Sequence, residues 1–146
     1  MPPRGLFPVC CYHNHHLYVF GGQHGYPDED EDFVEGNNNL LYKLNLITLE
    51  WTLINVSNPP LPREKGLMVG FGQYLYLYGG YGDPPDDFDY IKPKSNLDPE
   101  SSYQWPRAWL GSLHRFDLKL KCWELFLEGP IARCGHAGKR YTKVEK

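Results

Sequence analysis

The sequence predicts an all-β protein built from an internal repeat. Of the 146 residues, 41% are hydrophobic and 15% aromatic, and the eleven Tyr and four Trp are typical of strands. Two short apolar runs end at the glycine pairs 21–22 and 79–80, and each pair is followed by a strand-like run that leads to a Trp. We expect two similar four-stranded units and the first strand of a third.

The second strand of each unit is the clearest repeated element. The run HLYVFGG at 16–22 returns as YLYLYGG at 74–80, an offset of 58 residues. Alternating apolar residues over so short a run indicate a half-buried strand, and the glycines predict a tight turn at its end.

The third and fourth strands repeat at a second offset. The run LLYKLNLITLEWTLI at 40–54 returns as SLHRFDLKLKCWELF at 112–126, which is 72 residues later. Apolar residues at period two predict one buried face. The matched positions are Leu41 and Leu113, Leu44 and Phe116, Leu46 and Leu118, and Leu53 and Leu125. We expect Tyr42, Trp51 and Trp123 to pack the sheets together rather than to stack a ligand.

A short strand before each glycine-pair strand completes the unit. It follows Pro and Arg in PPRGLFPVCCYHN, in PLPREKGLMVGFGQ and in GPIARCGHAGKRY near the end of the sequence. The first unit is therefore predicted at 1–57 and the second at 58–129, with the first strand of a further unit and a basic tail at 130–146. Because KRYTKVEK adds no second strand, we expect a fragment, a truncation or a decayed copy.

This unit, with a glycine pair after the second strand and a Trp nine residues after Tyr42 or His114, resembles the kelch repeat. The resemblance covers nearly the whole chain. It implies two four-stranded kelch blades plus the first strand of a third, which is a partial β-propeller. In such blades the variable loops lie between the second and third strands, here 23–38 and 81–109.

Composition and charge exclude several partners. The net charge is −3 and the basic residues are scattered, so we expect neither nucleic acid nor a membrane surface as a partner. No apolar stretch reaches the roughly 20 residues that span a bilayer, and the N-terminus lacks a secretory signal. We expect a cytoplasmic or nuclear protein.

The candidate metal and catalytic patterns are weak. The acidic run at 28–32 lacks the spaced ligands of a calcium loop, and neighbouring histidines in a strand point to opposite faces. These histidines are His13, His15, His16 and His24. The four cysteines match no zinc or disulfide pattern, so we expect free thiols. No nucleophile elbow, phosphate loop or HExxH motif occurs, and we expect no catalytic residue, metal or cofactor.

A binding site is predicted where the long loops meet. In an up-and-down sheet the loop after the second strand and the linker between units share one end. Lys65, Tyr81 and Trp109 can therefore meet there, and a Lys beside aromatics and Arg107 suits a peptide carboxylate. The alternative is a solvated loop with incidental aromatics.

The second unit has a closer resemblance. The runs PREKGLMVGFGQYLYLYGGYG, PRAW and LHRFDLKLKCW resemble the kelch substrate receptors of cullin-2 ubiquitin ligases. The resemblance implies a protein or peptide C-terminus ending in glycine as the ligand of Lys65, Tyr81 and Trp109, with cullin-2 ligase subunits as partners of a full-length relative. The further arginines and aromatics of that pocket, and the cullin-binding segment, have no counterpart here. A generic kelch scaffold or cytoskeletal adaptor, and a kelch-propeller enzyme, remain alternatives.

Overall fold

The computed structural model describes residues 7–24, 36–82 and 108–128. This part of the chain forms only strands and turns, which confirms the predicted all-β class. The strands are, in chain order, β1 (Val9–His13), β2 (His16–Phe20), β3 (Gln23–His24), β4 (Gly36–Asn37), β5 (Leu41–Asn45), β6 (Trp51–Leu53), β7 (Arg63–Glu64), β8 (Leu67–Phe71), β9 (Tyr74–Tyr78), β10 (Tyr81–Gly82), β11 (Ala108–Trp109), β12 (Ser112–Asp117) and β13 (Cys122–Glu128).

Two antiparallel four-stranded sheets carry the fold. Sheet I has the order β1-β2-β5-β6, and sheet II has the order β8-β9-β12-β13. In both sheets the four strands lie side by side in their chain order, as an up-and-down unit requires; two short strands of other sheets come between the second and the third along the chain. The two sheets repeat one another in the order that the sequence predicts, and they are consistent with adjacent blades of a partial propeller.

The turns between the third and fourth strands also repeat. The side chain of Asn45 accepts two backbone hydrogen bonds from the following turn, at 2.8 and 3.2 Å, and Asp117 does the same at 2.8 and 3.0 Å. Leu49 and Lys121 occupy the same position in the two turns and have φ of 59° and 53°. The bond from the backbone N–H of Leu120 is the largest cause that lowers the pKa of Asp117.

The glycine pairs do not form the expected tight turns. Gly21 and Gly22 have φ of 64° and 99°, and Gly79 and Gly80 have φ of 68° and 108°. Two successive positive φ values bend each strand without reversing it. The chain then continues into β3 and β10, which pair with β4 and β11 outside the four-stranded sheets.

The core lies between the two sheets. Sheet I contributes one face, here called its inner face, and sheet II contributes the face opposite; all ten core residues are at most 9% exposed. They are Val9, Tyr18, Phe20, Leu41 and Ile54 from the first half, and Met68, Leu75, Leu77, Phe116 and Trp123 from the second. The ring of Trp123 lies 5.4 Å from Phe20 across the interface and 5.0 Å from Phe116 within its own sheet. Aromatic burial therefore joins the sheets, as expected for Trp123.

The prediction of a single buried face is wrong. Leu41 pairs with Phe20 and Leu44 pairs with Leu17, and because Leu41 and Leu44 are three residues apart they point to opposite faces. Leu41 is fully buried on the inner face, while Leu44 lies half-buried on the other, here called the open face of sheet I. Other matched leucines are more than 40% exposed: Leu46, Leu53 and Leu125. Tyr42 and Trp51 are half-buried on the open face.

Candidate ligand-binding site

The linker between the sheets and the long loop of the second unit meet in a small sheet. Its strand order is β11-β10-β7, and Tyr81 stands directly opposite both Trp109 and Glu64. Directly opposed residues share one face of a sheet. Glu64, Tyr81 and Trp109 therefore form a row, so the structure brings together two of the three predicted site residues.

Exposure changes along this row. Glu64 is 3% exposed, Tyr81 is half-buried, and Trp109 is 60% exposed. The row thus runs from the interior to solvent. An exposed indole beside a half-buried phenol is a surface on which a ligand can stack without prior displacement of a side chain.

Lys65 lies at the buried end of the row. Its ammonium is 3.4 Å from Oε1 of Glu64 and 4.4 Å from the ring centre of Phe7, and its side chain is 37% exposed. The backbone N–H of Lys65 donates to the carbonyl of Phe7 at 3.0 Å, and the residue has φ of 55°. These contacts hold Lys65 beside Glu64, the residue that stands opposite Tyr81.

Glu64 is the residue that sequence reasoning missed. One carboxylate oxygen contacts Lys65, whereas Oε2 finds no hydrogen-bond donor in the part of the chain that the structure describes. A buried carboxylate beside Lys65 offsets the positive charge that a ligand carboxylate needs. Its signal in the sequence was only the acidic neighbour of Lys65 in PREKG.

The first unit also reaches this site, through β4 and the residues that follow it. The side-chain amide of Asn37 on β4 donates to the backbone carbonyl of Tyr81 at 3.2 Å, and its Oδ1 is buried without a partner among the described residues. Asn39 donates to the carbonyl of Pro60 at 3.1 Å. The site therefore lies where the loops of both sheets converge.

A polar cluster around the buried side chain of Arg63 lies next to Glu64. The guanidinium of Arg63 donates to the carbonyls of Leu61 and Gly79, both at 3.0 Å, and reaches Ser112 and His114 at 3.4 Å. Nε2 of His114 also lies 2.9 Å from the hydroxyl of Ser112. Burial, and then the charge of Arg63, lower the pKa of His114 to about 4. A neutral imidazole that accepts hydrogen bonds from these donors serves the packing of the cluster.

The candidate metal ligands named from the sequence do not form a shared metal site in the described ranges. Nε2 of His13 lies 2.7 Å from the carbonyl of Gly72, and Nδ1 of His16 lies 2.7 Å from that of Asn14. Within 7–24, 36–82 and 108–128 no three His, Cys, Asp or Glu side chains form a metal cluster. The acidic run at 28–32, Arg107 and the segment 130–146 lie outside the described residues.

The described cysteines Cys10, Cys11 and Cys122 are free thiols. Burial, and then the neighbouring Cys10, raise the pKa of Cys11 to about 12. A thiol with so high a pKa is protonated at neutral pH and is a poor nucleophile. The part of the chain that is described contains no helix that could cross a membrane.

Comparison with known proteins supports the kelch resemblance. The chain is 27% identical over 133 residues to kelch domain-containing protein 2 of Rattus norvegicus, and the proteins of the same name from Mus musculus and Homo sapiens match at the same identity. The match covers 83% of this chain and 30% of each relative. The chain therefore spans less than a third of the length of the curated relatives it matches. No family model matches the chain.

Proposed function

We propose that this chain is a kelch protein-interaction module that binds the C-terminus of a protein or peptide at Lys65, Tyr81 and Trp109. The observation that supports this function is the direct pairing of Tyr81 with Trp109, with the ammonium of Lys65 bound to Glu64 on the other side of Tyr81. A cation held by Glu64, with Tyr81 and Trp109 following Glu64 across the sheet, suits a terminal carboxylate attached to a short extended peptide.

The finer assignment is to a substrate receptor of a cullin-RING ubiquitin ligase. Its support is the sequence resemblance of PREKG, PRAW and LHRFDLKLKCW to the receptors of cullin-2 ligases. In this assignment the chain recognises a C-terminal degron, partner subunits perform the ubiquitin transfer, and the chain acts in the cytoplasm or nucleus without chemistry of its own. Co-purification of the tagged chain with cullin-2 subunits tests this link separately from peptide binding.

Fluorescence anisotropy tests the peptide site. A labelled peptide ending in Gly-Gly is titrated with the protein, beside the same peptide amidated at its C-terminus. Because the amide removes the charge that Lys65 recognises, we expect at least a tenfold weaker affinity, which corresponds to about 1.4 kcal/mol. Lys65→Ala should bring the free-acid peptide to the same weak level.

Lys119→Ala is the matched control, because Lys119 is an exposed lysine in the turn after β12. This variant should bind as the wild type does. Equal affinity for the acid and the amide would indicate a generic scaffold surface and would overturn the proposed carboxylate site. Absence of binding by a protein with an intact circular dichroism spectrum would overturn peptide binding itself.

A further inference from the structure

The open face of sheet I presents an apolar row to solvent. Leu17, Leu44 and Trp51 are paired directly across β2, β5 and β6, and all three are half-buried. Their counterparts in sheet II are Leu75, Phe116 and Trp123, which form the same row and are at most 1% exposed. In sheet II this row is covered by the inner face of sheet I. No strand within the part of the chain that the structure describes covers the equivalent row on sheet I.

Sheet II also has an open face, formed by the residues that alternate with its buried row. Val69 pairs with Tyr76, and Leu67 pairs with Tyr78. Val69 is 47% exposed and the other three are half-buried. The counterparts on the inner face of sheet I are Cys11, Tyr18, Val9 and Phe20, which pack in the core between the sheets.

We infer that the open face of sheet II docks onto the open face of sheet I of a second copy of this chain. The interface within one chain joins two different surfaces, and the repeat reproduces each of them on an outer side of the pair. A contact between unlike surfaces is heterologous, so the two copies associate head to tail rather than about a twofold axis. The interface within the chain supplies the geometry that the contact between copies follows.

Arg115, which shares the open face of sheet II with the charged residues Glu124 and Asp117, is compatible with this contact. Arg115 forms an ion pair with Glu124 and lies 4.4 Å from the ring centre of Tyr74 and 4.8 Å from that of Phe126. Its counterpart on sheet I is Lys43, which lines a cavity of about 230 Å³ between the sheets. Because Lys43 lies at the contact between the two sheets of one chain, a cation at the equivalent position, Arg115, is compatible with a contact between copies.

At the β1 and β8 edge the contact between copies differs from that within the chain. The ring of His13 lies so close to Gly70 that a side chain there would strike it. The corresponding pair between copies is Phe71 with Tyr12, which are 75% and 62% exposed. Two aromatic rings therefore replace a ring on bare backbone, and the copies lie farther apart at this edge.

Sedimentation equilibrium with two surface variants tests the inference. Leu44→Lys charges the open face of sheet I, and Val69→Lys charges the open face of sheet II. We expect the wild type to exceed its monomer mass of 16.9 kDa at roughly 100 µM, a concentration above the dissociation constant of many specific interfaces. Each variant alone should stay monomeric, because either change removes one half of the contact.

A mixture of the two variants separates the possible arrangements. Each variant keeps the face that the other lacks, so the mixture should form a 1:1 dimer and nothing larger. A wild type that stays monomeric, or a Val69→Lys protein that still dimerises alone, would overturn the head-to-tail contact. Tyr12→Asp, at an exposed position of the same open face, replaces Leu44→Lys if circular dichroism shows that the latter does not fold.

Discussion

Nη1 of Arg63 donates a hydrogen bond to the carbonyl of Gly79 at 3.0 Å. The backbone carbonyl of Arg63 accepts a second bond, at 2.8 Å, from the N–H of Gly22. One residue of the linker therefore holds both glycine pairs, and its side chain is only 1% exposed. This explains why the linker between the sheets keeps a fixed position below the proposed site.

Replacement of Arg63 by Met should destabilise the fold. The variant keeps the bulk of the side chain but leaves the carbonyls of Leu61 and Gly79 without their donor. Since an unsatisfied buried polar group costs roughly 1–3 kcal/mol, we expect a loss of about 2–4 kcal/mol in the free energy of unfolding by urea. Arg115→Met is the control and should lose clearly less, because Arg115 pairs with Glu124 at the surface. Equal losses would refute a special role for Arg63.

The stability should depend on pH through His114. The pKa of its imidazole is about 4 in the folded chain, below the ordinary 6.5, because of burial and then Arg63. Between these values the unfolded chain binds a proton that the folded chain does not. Stability is therefore complete above pH 6.5 and falls as the pH drops to about 4. For a partly buried ring we expect about 1–2 kcal/mol after solvent screening.

Urea unfolding at several pH values measures how the free energy of unfolding depends on pH. His114→Gln retains an acceptor for Arg63 and Ser112 but does not titrate in this range. The variant should have a flatter dependence between pH 6.5 and 4 than the wild type. Parallel curves would show that His114 is not the group responsible.

Alanine at Gly80 should destabilise the fold more than alanine at Gly72. Gly80 has φ of 108°, and a Cβ there would lie 2.7 Å from the carbonyl of Glu64. Gly72 has φ of 60°, but a Cβ there would meet nothing within 4 Å. We expect Gly72→Ala to cost about 1 kcal/mol from backbone strain alone, and Gly80→Ala to cost at least about 2 kcal/mol more from the collision. Thermal melting of both variants compares them directly, and similar melting temperatures would contradict the close approach.

The two equivalent tryptophans should differ in their contribution to stability. Trp123 is 1% exposed between Phe20 and Phe116, whereas Trp51 lies half-buried on the open face of sheet I. Trp123→Ala should cost about 3–5 kcal/mol, as for other large buried rings, and Trp51→Ala clearly less. Urea unfolding at a protein concentration low enough to keep the chain monomeric measures both. A larger loss of stability in Trp51→Ala than in Trp123→Ala would contradict the placement of the core between the two sheets.

The sequence was sufficient for the repeat because a repeat constrains many positions at once. Trp51 and Trp123 share the 72-residue offset of the four matched apolar pairs, and the structure gives the two tryptophans the same place in their sheets. The burial of a given leucine was not predictable. It depends on which face has a neighbouring sheet, and this information is absent from the alternation within one strand.

The proposed site shows the same limit. Meeting of the linker and the long loop follows from strand order alone, so Tyr81 and Trp109 could be placed together in advance. The role of Glu64 could not be predicted in this way. Glu64 is buried because it lies on the short strand β7, and β7 pairs with β10, the strand that continues past the glycine pair. A tight turn at Gly79 and Gly80 would leave no strand β10, so the sequence pattern gave no reason to expect a buried residue at position 64.

Glu64 provides the sharpest test of the site's electrostatics. Its carboxylate lies 3.4 Å from the ammonium of Lys65 and therefore repels a ligand carboxylate bound to that ammonium. Two like unit charges about 6 Å apart, such as these two carboxylates, repel each other by about 3 kcal/mol at an effective dielectric constant of 20. Loss of the ion pair also frees Lys65, but holding an exposed lysine in place is worth only about 1 kcal/mol. The charge effect is larger, so Glu64→Gln should bind a free-acid peptide roughly tenfold more tightly.

The amidated peptide decides whether this gain has the proposed cause. It carries no terminal charge, so Glu64→Gln should leave its affinity within about twofold of the wild type. Added salt should reduce the gain for the free acid, because screening weakens charge effects at a partly exposed site. If Glu64→Gln instead weakens binding of the free acid while the protein stays folded, Glu64 acts chiefly by positioning Lys65, and the site depends on geometry more than on net charge.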